Sequence, residues 1–407
     1  MRAEIVSPWR DTLAGARAEH VLRACVHCGM CNAVCPTYQL TGDERDGPRG
    51  RIYLIKQVLE GGEATRLTQH HLDRCLTCRA CETACPSGVA YHRLVEVGRE
   101  ALAPRRGLVS RFLRFALRKV MLSPPRLDIL LALGRLARPL LPASLRAKIP
   151  PPPPRVTPAP LGPPPPGLGR RMTLLRGCVQ ASATPQTNAA AQKVFAAAGI
   201  ALGETPGLGC CGALSAHLGA TEEARALARR NLAAWTAELD AGAEALVVTA
   251  SGCAAFIRDY PDLLDGETEA AERLARVLPR LKDPVEVLEA TPLPPLRAPA
   301  DPRVAVHIPC TLRNGPGLGA APARLLSRLG FSPQPVADAH LCCGSAGAYA
   351  LLQPKLATAL RENKLAALQA SAPDQICTAN VGCQLHLGAA TTTPVRHWLE
   401  AVADLLD

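Results

Sequence analysis

Residues 209–214 read GCCGAL, and residues 341–346 read LCCGSA. Adjacent cysteines followed by glycine are poor disulfide partners. Neighbouring Cα atoms sit about 3.8 Å apart across a trans peptide, whereas disulfides ordinarily span about 4.4–6.8 Å. A glycine behind the pair permits a left-handed turn, so the motif suits two thiolates presented side by side to a metal.

The motif belongs to a duplication. Cys178 precedes Cys310 by 132 residues, Cys210 and Cys211 precede Cys342 and Cys343 by 132, and Cys253 precedes Cys383 by 130. A period this long predicts a duplicated domain rather than a solenoid. Short apolar runs lead to the cysteines (MTLL, ALVVT, RVAVHI), and helix-patterned stretches follow (TEEARALARRNLAAWTAEL, LLQPKLATALRENKLAALQ). Strands alternating with helices predict parallel α/β layers, with the cysteines at strand-to-helix turns where ligands of such sheets collect. Each half then offers four thiols: Cys178, Cys210, Cys211 and Cys253 in the first, Cys310, Cys342, Cys343 and Cys383 in the second. Four is the number needed by a tetrahedral zinc or an iron–sulfur cluster.

Upstream stand two further clusters, CVHCGMCNAVCP and CLTCRACETACP. Both have the spacing C-x2-C-x2-C-x3-C-P. Three thiolates of such a loop hold one cubane, and the fourth, before the proline, turns to the other cubane. Cys25, Cys28, Cys31 and Cys85 are therefore assigned to one [4Fe–4S] cluster, and Cys75, Cys78, Cys81 and Cys35 to a second. A zinc ribbon lacks this spacing and the Cys-Pro endings. The insert between the motifs contains GPRGRIYLIKQVLE, a loop and helix in which Arg49 and Arg51 either tune a cluster, meet a partner or begin a solvated helix.

Sixteen of the 17 cysteines are thus accounted for. Cys377 remains; its counterpart is Val247, which predicts a buried small apolar residue. His307 lies three residues before Cys310 and His386 three after Cys383. Either is an extra ligand, a hydrogen-bond donor to a ligand or an ordinary core residue; the first half has no histidine at the matching positions, which favours the last.

The net charge of +11 is local. Residues 104–171 carry 14 Lys+Arg and one acid, and the remainder of the chain sums to −2. Only Phe112 and Phe115 interleave with the basic residues, too few to make a base-stacking platform, which argues against nucleic acid. This segment opens with RRGLVSRFLRFALRKVM, an amphipathic helix pattern, and closes with prolines at 150–154 and 163–166 that predict a polyproline spacer. The N-terminus has no apolar signal segment and no run approaches a membrane span. A cytoplasmic protein is expected, with the basic connector able to rest peripherally on the cytoplasmic face of the inner membrane. Gly315, Gly317 and Ala320 mimic a nucleotide fingerprint, but Cys310 already occupies the turn and a loop is expected. With no flavin or substrate motif, catalytic residues are expected on partner chains.

The predicted organisation is a multidomain α+β chain. Residues 1–103 form an α-helical two-[4Fe–4S] ferredoxin-type domain, and 104–171 a basic and proline-rich connector. Residues 172–300 and 301–407 form two α/β cysteine-rich domains. The repeats resemble the cysteine-rich (CCG) domain of heterodisulfide-reductase-type subunits. The whole layout, with GPRGRIYLIK, LLRGCVQ, GCCGALSAHLG, HIPCTLRN, CCGSAGAY and TANVGC, resembles the iron–sulfur subunit family of bacterial glycolate oxidase. That resemblance implies an oxidoreductase subunit passing electrons from flavin partner subunits, which oxidise glycolate to glyoxylate, toward a quinone or another acceptor. The fullest CCG pattern ends in C-x2-C, yet Ala250 and Asn380 stand where the first of those cysteines would be. This departure favours a conventional [4Fe–4S] cluster or a zinc in each half over a non-cubane cluster. Two rival functions share parts of the pattern: the iron–sulfur subunit of anaerobic glycerol-3-phosphate dehydrogenase, and a heterodisulfide-reductase-like thiol–disulfide reductase.

Overall fold

The structure, a computed structural model, describes residues 1–407 except 143–145, 147–148, 155–168, 206, 301 and 407. The N-terminal region is helical. Four helices, Leu13–Ala24, Pro48–Leu59, Arg66–Asp73 and Tyr91–Leu102, surround one apolar core that includes Leu22, Ile55, Leu59, Leu72, Leu94 and Leu102. Two start at threonine caps, with Thr12 Oγ1 accepting from Gly15 N and Thr65 Oγ1 accepting from Thr68 N. Pro48–Leu59 and Tyr91–Leu102 cross closely at Gly98, where a Cβ would meet Ile55 Cγ1 at 2.7 Å.

The basic segment forms two helices, Leu108–Met121 and Pro124–Ala137, packed on each other. Their polarity is turned inside out. Arg114 is buried on Asp73, and Arg118 and Lys119 both pair with Glu223. Leu108, Val109, Phe112, Ile129, Leu133, Leu136 and Leu140 face outward. Pro151–Pro154 adopt neither helix nor strand, and the prolines at 163–166 lie outside the described residues.

Each remaining half is a four-stranded parallel sheet flanked by helices. The first comprises β1 (Arg170–Leu174), β2 (Ile200–Glu204), β3 (Leu246–Val247) and β4 (Leu281–Lys282), in the order β2-β1-β3-β4. The second comprises β5 (Arg303–Val306), β6 (Ser332–Gln334), β7 (Gln375–Thr378) and β8 (Val395–His397), in the order β6-β5-β7-β8. The strands at the centres, β1, β3, β5 and β7, come from the apolar runs that end at cysteines or, in β7, contain one. Cys377 lies fully buried in β7, as expected of a core residue, and Val247 occupies the same place in β3. Helices Pro185–Ala197 and Trp398–Ala403 pack together, so one core with Val194, Phe195, Val304, Val306 and Trp398 is shared by both sheets. Chain order reverses between β1 and β3, and between β5 and β7, which opens a crevice beyond the carboxyl ends of those strands. Cys178 and Cys253 follow β1 and β3; Cys310 and Cys383 follow β5 and β7.

Candidate metal centres

The structure brings the eight N-terminal cysteines together in two sets with the crossed membership read from the sequence. Cys25, Cys28, Cys31 and Cys85 line a cavity of about 430 Å³ together with Val26, Met30, Ile52 and Val89. Cys35, Cys75, Cys78 and Cys81 line another of about 370 Å³, with Cys81 bordering both. Four thiols lining one cavity is the number that a [4Fe–4S] cluster takes. The loops repeat a backbone device. His27 and Gly29 in the first, and Thr77 and Arg79 in the second, sit at positive φ on either side of the middle cysteine. Three of these four are not glycine, and such conformations persist where a site over-determines them.

Charge distinguishes the two sets. Arg51 is a buried guanidinium, not the solvated helix start that its position also allowed. Its Nε donates to His71 O at 2.8 Å, Nη2 to Thr37 Oγ1 at 3.1 Å, and Nη1 lies 4.0 Å from Cys35 Sγ. Its counter-ion is Asp46, also held by His71 and Arg74. Arg99 donates to Cys75 O and Thr77 Oγ1. Burial pushes the Cys75 thiol up, but Arg51 and Arg99 outweigh it and hold the thiol below its ordinary range. Near the other set Arg49 pairs with Glu44, and burial and neighbouring thiols raise Cys31 to about 11.

The two Cys-Cys-Gly sets share one geometry. Cys178 Sγ lies 3.5 Å from Cys210 Sγ, and Cys310 Sγ lies 4.0 Å from Cys342 Sγ. The second cysteine of each pair meets the last: Cys343 Sγ is 3.3 Å from Cys383 Sγ, and Cys211 interacts likewise with Cys253. Gly212 and Gly344 have φ of 91° and 87°, and each backbone N–H donates to the first sulfur of its pair. At Gly344 a Cβ would also meet Ala357 O at 2.7 Å, so the motif needs glycine for both conformation and space. The sulfur of its partner and then burial push Cys178 and Cys310 well above the ordinary thiol range. Such a set ionises readily only with a cation among the sulfurs, so its chemistry fits a metal group.

At the fifth-cysteine positions, Asn380 Oδ1 accepts from Gly382 N at 3.0 Å and caps the helix Val381–Gly388. Ala250 precedes the helix Ser251–Arg258 with no side-chain cap. Of the two histidines, His386 Nε2 meets Ala357 O at 3.1 Å. His307 is different. It is buried, both ring nitrogens lack a hydrogen-bond partner, and its ligand atom lies within 4.8 Å of those of Cys343 and Cys383. Burial, and then Lys364 and Arg313, push its pKa down to about 3, so the imidazole is neutral. The histidine was visible in the sequence; its lack of a hydrogen-bond partner was not. The glycine-rich stretch after Cys310 forms a loop with Gly317 at φ 74°.

The second half meets the ferredoxin-type region through its thiols. Leu76, Cys342, Tyr349, Ala357 and Leu360 form one apolar cluster against which Cys78 and Cys310 pack. Asn314 Nδ2 donates to Cys78 O at 2.7 Å. The first half meets the same region through ion pairs, Arg79 with Asp259, Arg93 with Asp262 and Arg17 with Asp265.

Two known domain families match parts of the chain. A 4Fe-4S dicluster domain matches residues 21–89, and a cysteine-rich domain matches residues 172–258 and 304–388. The chain is 47% identical to the glycolate oxidase iron-sulfur subunit of Escherichia coli (strain K12), covering all of both chains. It is 31% identical to the "Probable glycolate oxidase iron-sulfur subunit" of Bacillus subtilis (strain 168), covering 91% of this chain and 89% of that one. The crystal structure of a hypothetical protein from Helicobacter pylori shares the fold, with a TM-score of 0.58 and 12% identity over 98% of this chain and 73% of that one. These likenesses do not favour the glycerol-3-phosphate dehydrogenase or disulfide reductase readings. The chain belongs to the family of glycolate oxidase iron–sulfur subunits, with a [4Fe–4S] dicluster domain joined to two cysteine-rich domains.

Proposed function

We propose that this chain carries single electrons from flavin-containing partner subunits, which oxidise glycolate to glyoxylate, toward a quinone or similar acceptor, as part of a glycolate dehydrogenase. Cys25, Cys28, Cys31 and Cys85 would hold one [4Fe–4S] group and Cys75, Cys78, Cys81 and Cys35 the other. Cys178, Cys210, Cys211 and Cys253, and Cys310, Cys342, Cys343 and Cys383, would hold one further iron–sulfur group in each cysteine-rich half. When bound, each group supplies a reversible one-electron couple. The protein's part is spacing, insulation and charge. Cys28 is exposed beside Val26 and Met30, which gives the first set a face toward a partner. Arg51 and Arg99 supply fixed positive charge at the second set.

The observation that carries this reading is the packing of Cys78 and Cys310 on one apolar cluster that contains Cys342, which makes the second Cys-Cys-Gly set the neighbour of the ferredoxin-type cysteines. Zinc has no redox chemistry, so iron in that neighbour gives the contact a use. To test the reading, the chain is purified anaerobically with its flavin partners. Glycolate should then reduce the iron–sulfur absorbance and glycerol 3-phosphate should not. A complex that dithionite reduces but glycolate leaves oxidised contradicts the reading.

No described helix is long and apolar enough to cross a membrane. The outward apolar face of Leu108–Met121 and Pro124–Ala137, flanked by exposed Arg105, Arg111, Arg126 and Arg138, suits the surface of an anionic bilayer. Sedimentation with anionic vesicles tests this: Phe112→Asp should abolish binding, and equal binding by the variant would refute it.

A further inference from the structure

The second Cys-Cys-Gly set faces a buried imidazole that the fold leaves without a hydrogen-bond partner. His307 is 3% exposed, and neither Nδ1 nor Nε2 has a hydrogen-bond partner. Buried polar groups are nearly always satisfied, so an exception asks for a missing partner. The groups at hand are sulfurs: one ligand atom each from His307, Cys343 and Cys383 all lie within 4.8 Å of one another.

The duplicated half shows what this position looks like when no nitrogen is offered. Leu175 stands three residues before Cys178, as His307 stands three before Cys310. The backbone is the same in both: Leu175 N donates to Val247 O at 3.1 Å, and His307 N donates to Cys377 O at 2.8 Å. Leu175 packs in an apolar core with Cys211. The strand end therefore accommodates an ordinary leucine, and an imidazole here is a departure that packing does not require. A second departure accompanies it. Ala224 and Ala357 lie over Gly212 and Gly344 respectively, which aligns Asn231 with Lys364 seven residues further along each helix. Asn231 donates to Cys210 O, whereas Lys364 is a buried cation that donates to Asp338 O.

We propose that His307 ligates the metal group at the second Cys-Cys-Gly site, which is therefore a mixed nitrogen–sulfur site, while the first is sulfur only. This rests on the reading of both sets as metal-holding. One ring nitrogen gives its lone pair to the metal and the other keeps its proton, so ligation adds no charge. The imidazole is a further donor beside the four thiols and adds no negative charge, and the buried Lys364 cation favours the reduced state of the group. The second site is thereby the better electron acceptor of the pair, and it is the one beside Cys78.

The test uses the full chain, purified anaerobically with its own metal and carrying 15N-histidine. Pulsed EPR should detect a directly bonded 15N, lost in His307→Leu and kept in His386→Gln. In His307→Leu one midpoint potential should shift while those of the ferredoxin-type clusters stay fixed. If the leucine variant does not fold, His307→Cys should keep the metal and lose the nitrogen coupling. For an EPR-silent group, X-ray absorption at its edge reads the same change. Wild-type protein without a bonded nitrogen, or His307→Leu with every spectrum and potential unchanged, overturns the proposal. Cys342→Ser/Cys343→Ser separates the two ideas. Full metal retention by that variant sinks the metal-holding reading itself, whereas metal loss with no nitrogen coupling in wild type sinks only the role of His307.

Discussion

The two cysteine-rich halves have the same sheet order, the same four thiols and the same glycine at positive φ, yet they face the ferredoxin-type region in opposite ways. The second presents sulfur and apolar side chains to it, with Cys310, Cys342 and Tyr349 against Leu76 and Cys78. The first presents carboxylates, with Asp259 and Asp262 meeting Arg79 and Arg93. Duplication supplied two equal sites, and divergence at their rims made one a neighbour of the relay and the other a docking platform.

The comparison can be broken most severely at the thiols. Cys343→Ser should remove the metal group of the second half and abolish glycolate-driven reduction of the downstream acceptor. Cys211→Ser should remove only the first half's group and leave the ferredoxin-type clusters reducible. Equal loss of electron transfer in both would remove the asymmetry claimed here. The next largest effect concerns the contacts. Leu76→Ala deletes a buried apolar side chain and should cost about 2–5 kcal/mol, whereas Arg93→Ala breaks a half-exposed pair and should cost less than about 1 kcal/mol. Thermal unfolding across a salt series checks both, and only the Arg93 contact should weaken with salt.

A third difference is a pH dependence of opposite sign. Asp283 directly follows β4 and His397 ends β8, and each accepts the backbone N–H two residues on. Burial raises Asp283 to about 7 and lowers His397 to about 4. The raised carboxyl favours the fold fully below its unfolded value near pH 4 and loses that contribution as pH rises toward 7. The depressed imidazole favours the fold above about pH 6.5 and loses its contribution as pH falls toward 4. Both contributions change between about pH 4 and 7, so Asp283→Asn should remove a loss of stability with rising pH in that window and His397→Asn a gain; effects of the opposite signs would refute the assignment. An effect of similar small size is expected at Asn380→Ala, which removes a helix cap worth about 1 kcal/mol. An unchanged melting temperature there would show that the cap contributes nothing.

Much of this was legible in the sequence because ligand sets are local. The C-x2-C-x2-C-x3-C-P spacing carries its own crossed pairing, and each set of four lines one cavity, with Cys81 bordering both. The 132-residue period announced the duplication, and apolar runs ending at cysteines located the central strands β1, β3 and β5. The edge strands were not foreseen. β4 has only two residues and β6 includes a proline, so neither gives a period-2 signal. Arg51 reads as an ordinary helix-start arginine, and only the fold shows it buried between Asp46 and Cys35. The connector's amphipathic pattern was evident, but its direction was not. Its inward charges are fixed by Asp73 and Glu223, which are remote in the chain. The same holds for His307, whose significance lies in what surrounds it.

The central claim is that both Cys-Cys-Gly sets hold iron beyond that of the ferredoxin-type region. Iron and acid-labile sulfide in the full chain, purified anaerobically, test it most directly. Two [4Fe–4S] clusters alone account for about eight irons. The account predicts substantially more than that, falling in separate steps in Cys211→Ser and Cys343→Ser. A value of about eight in the wild-type chain, unchanged in both variants, would contradict it.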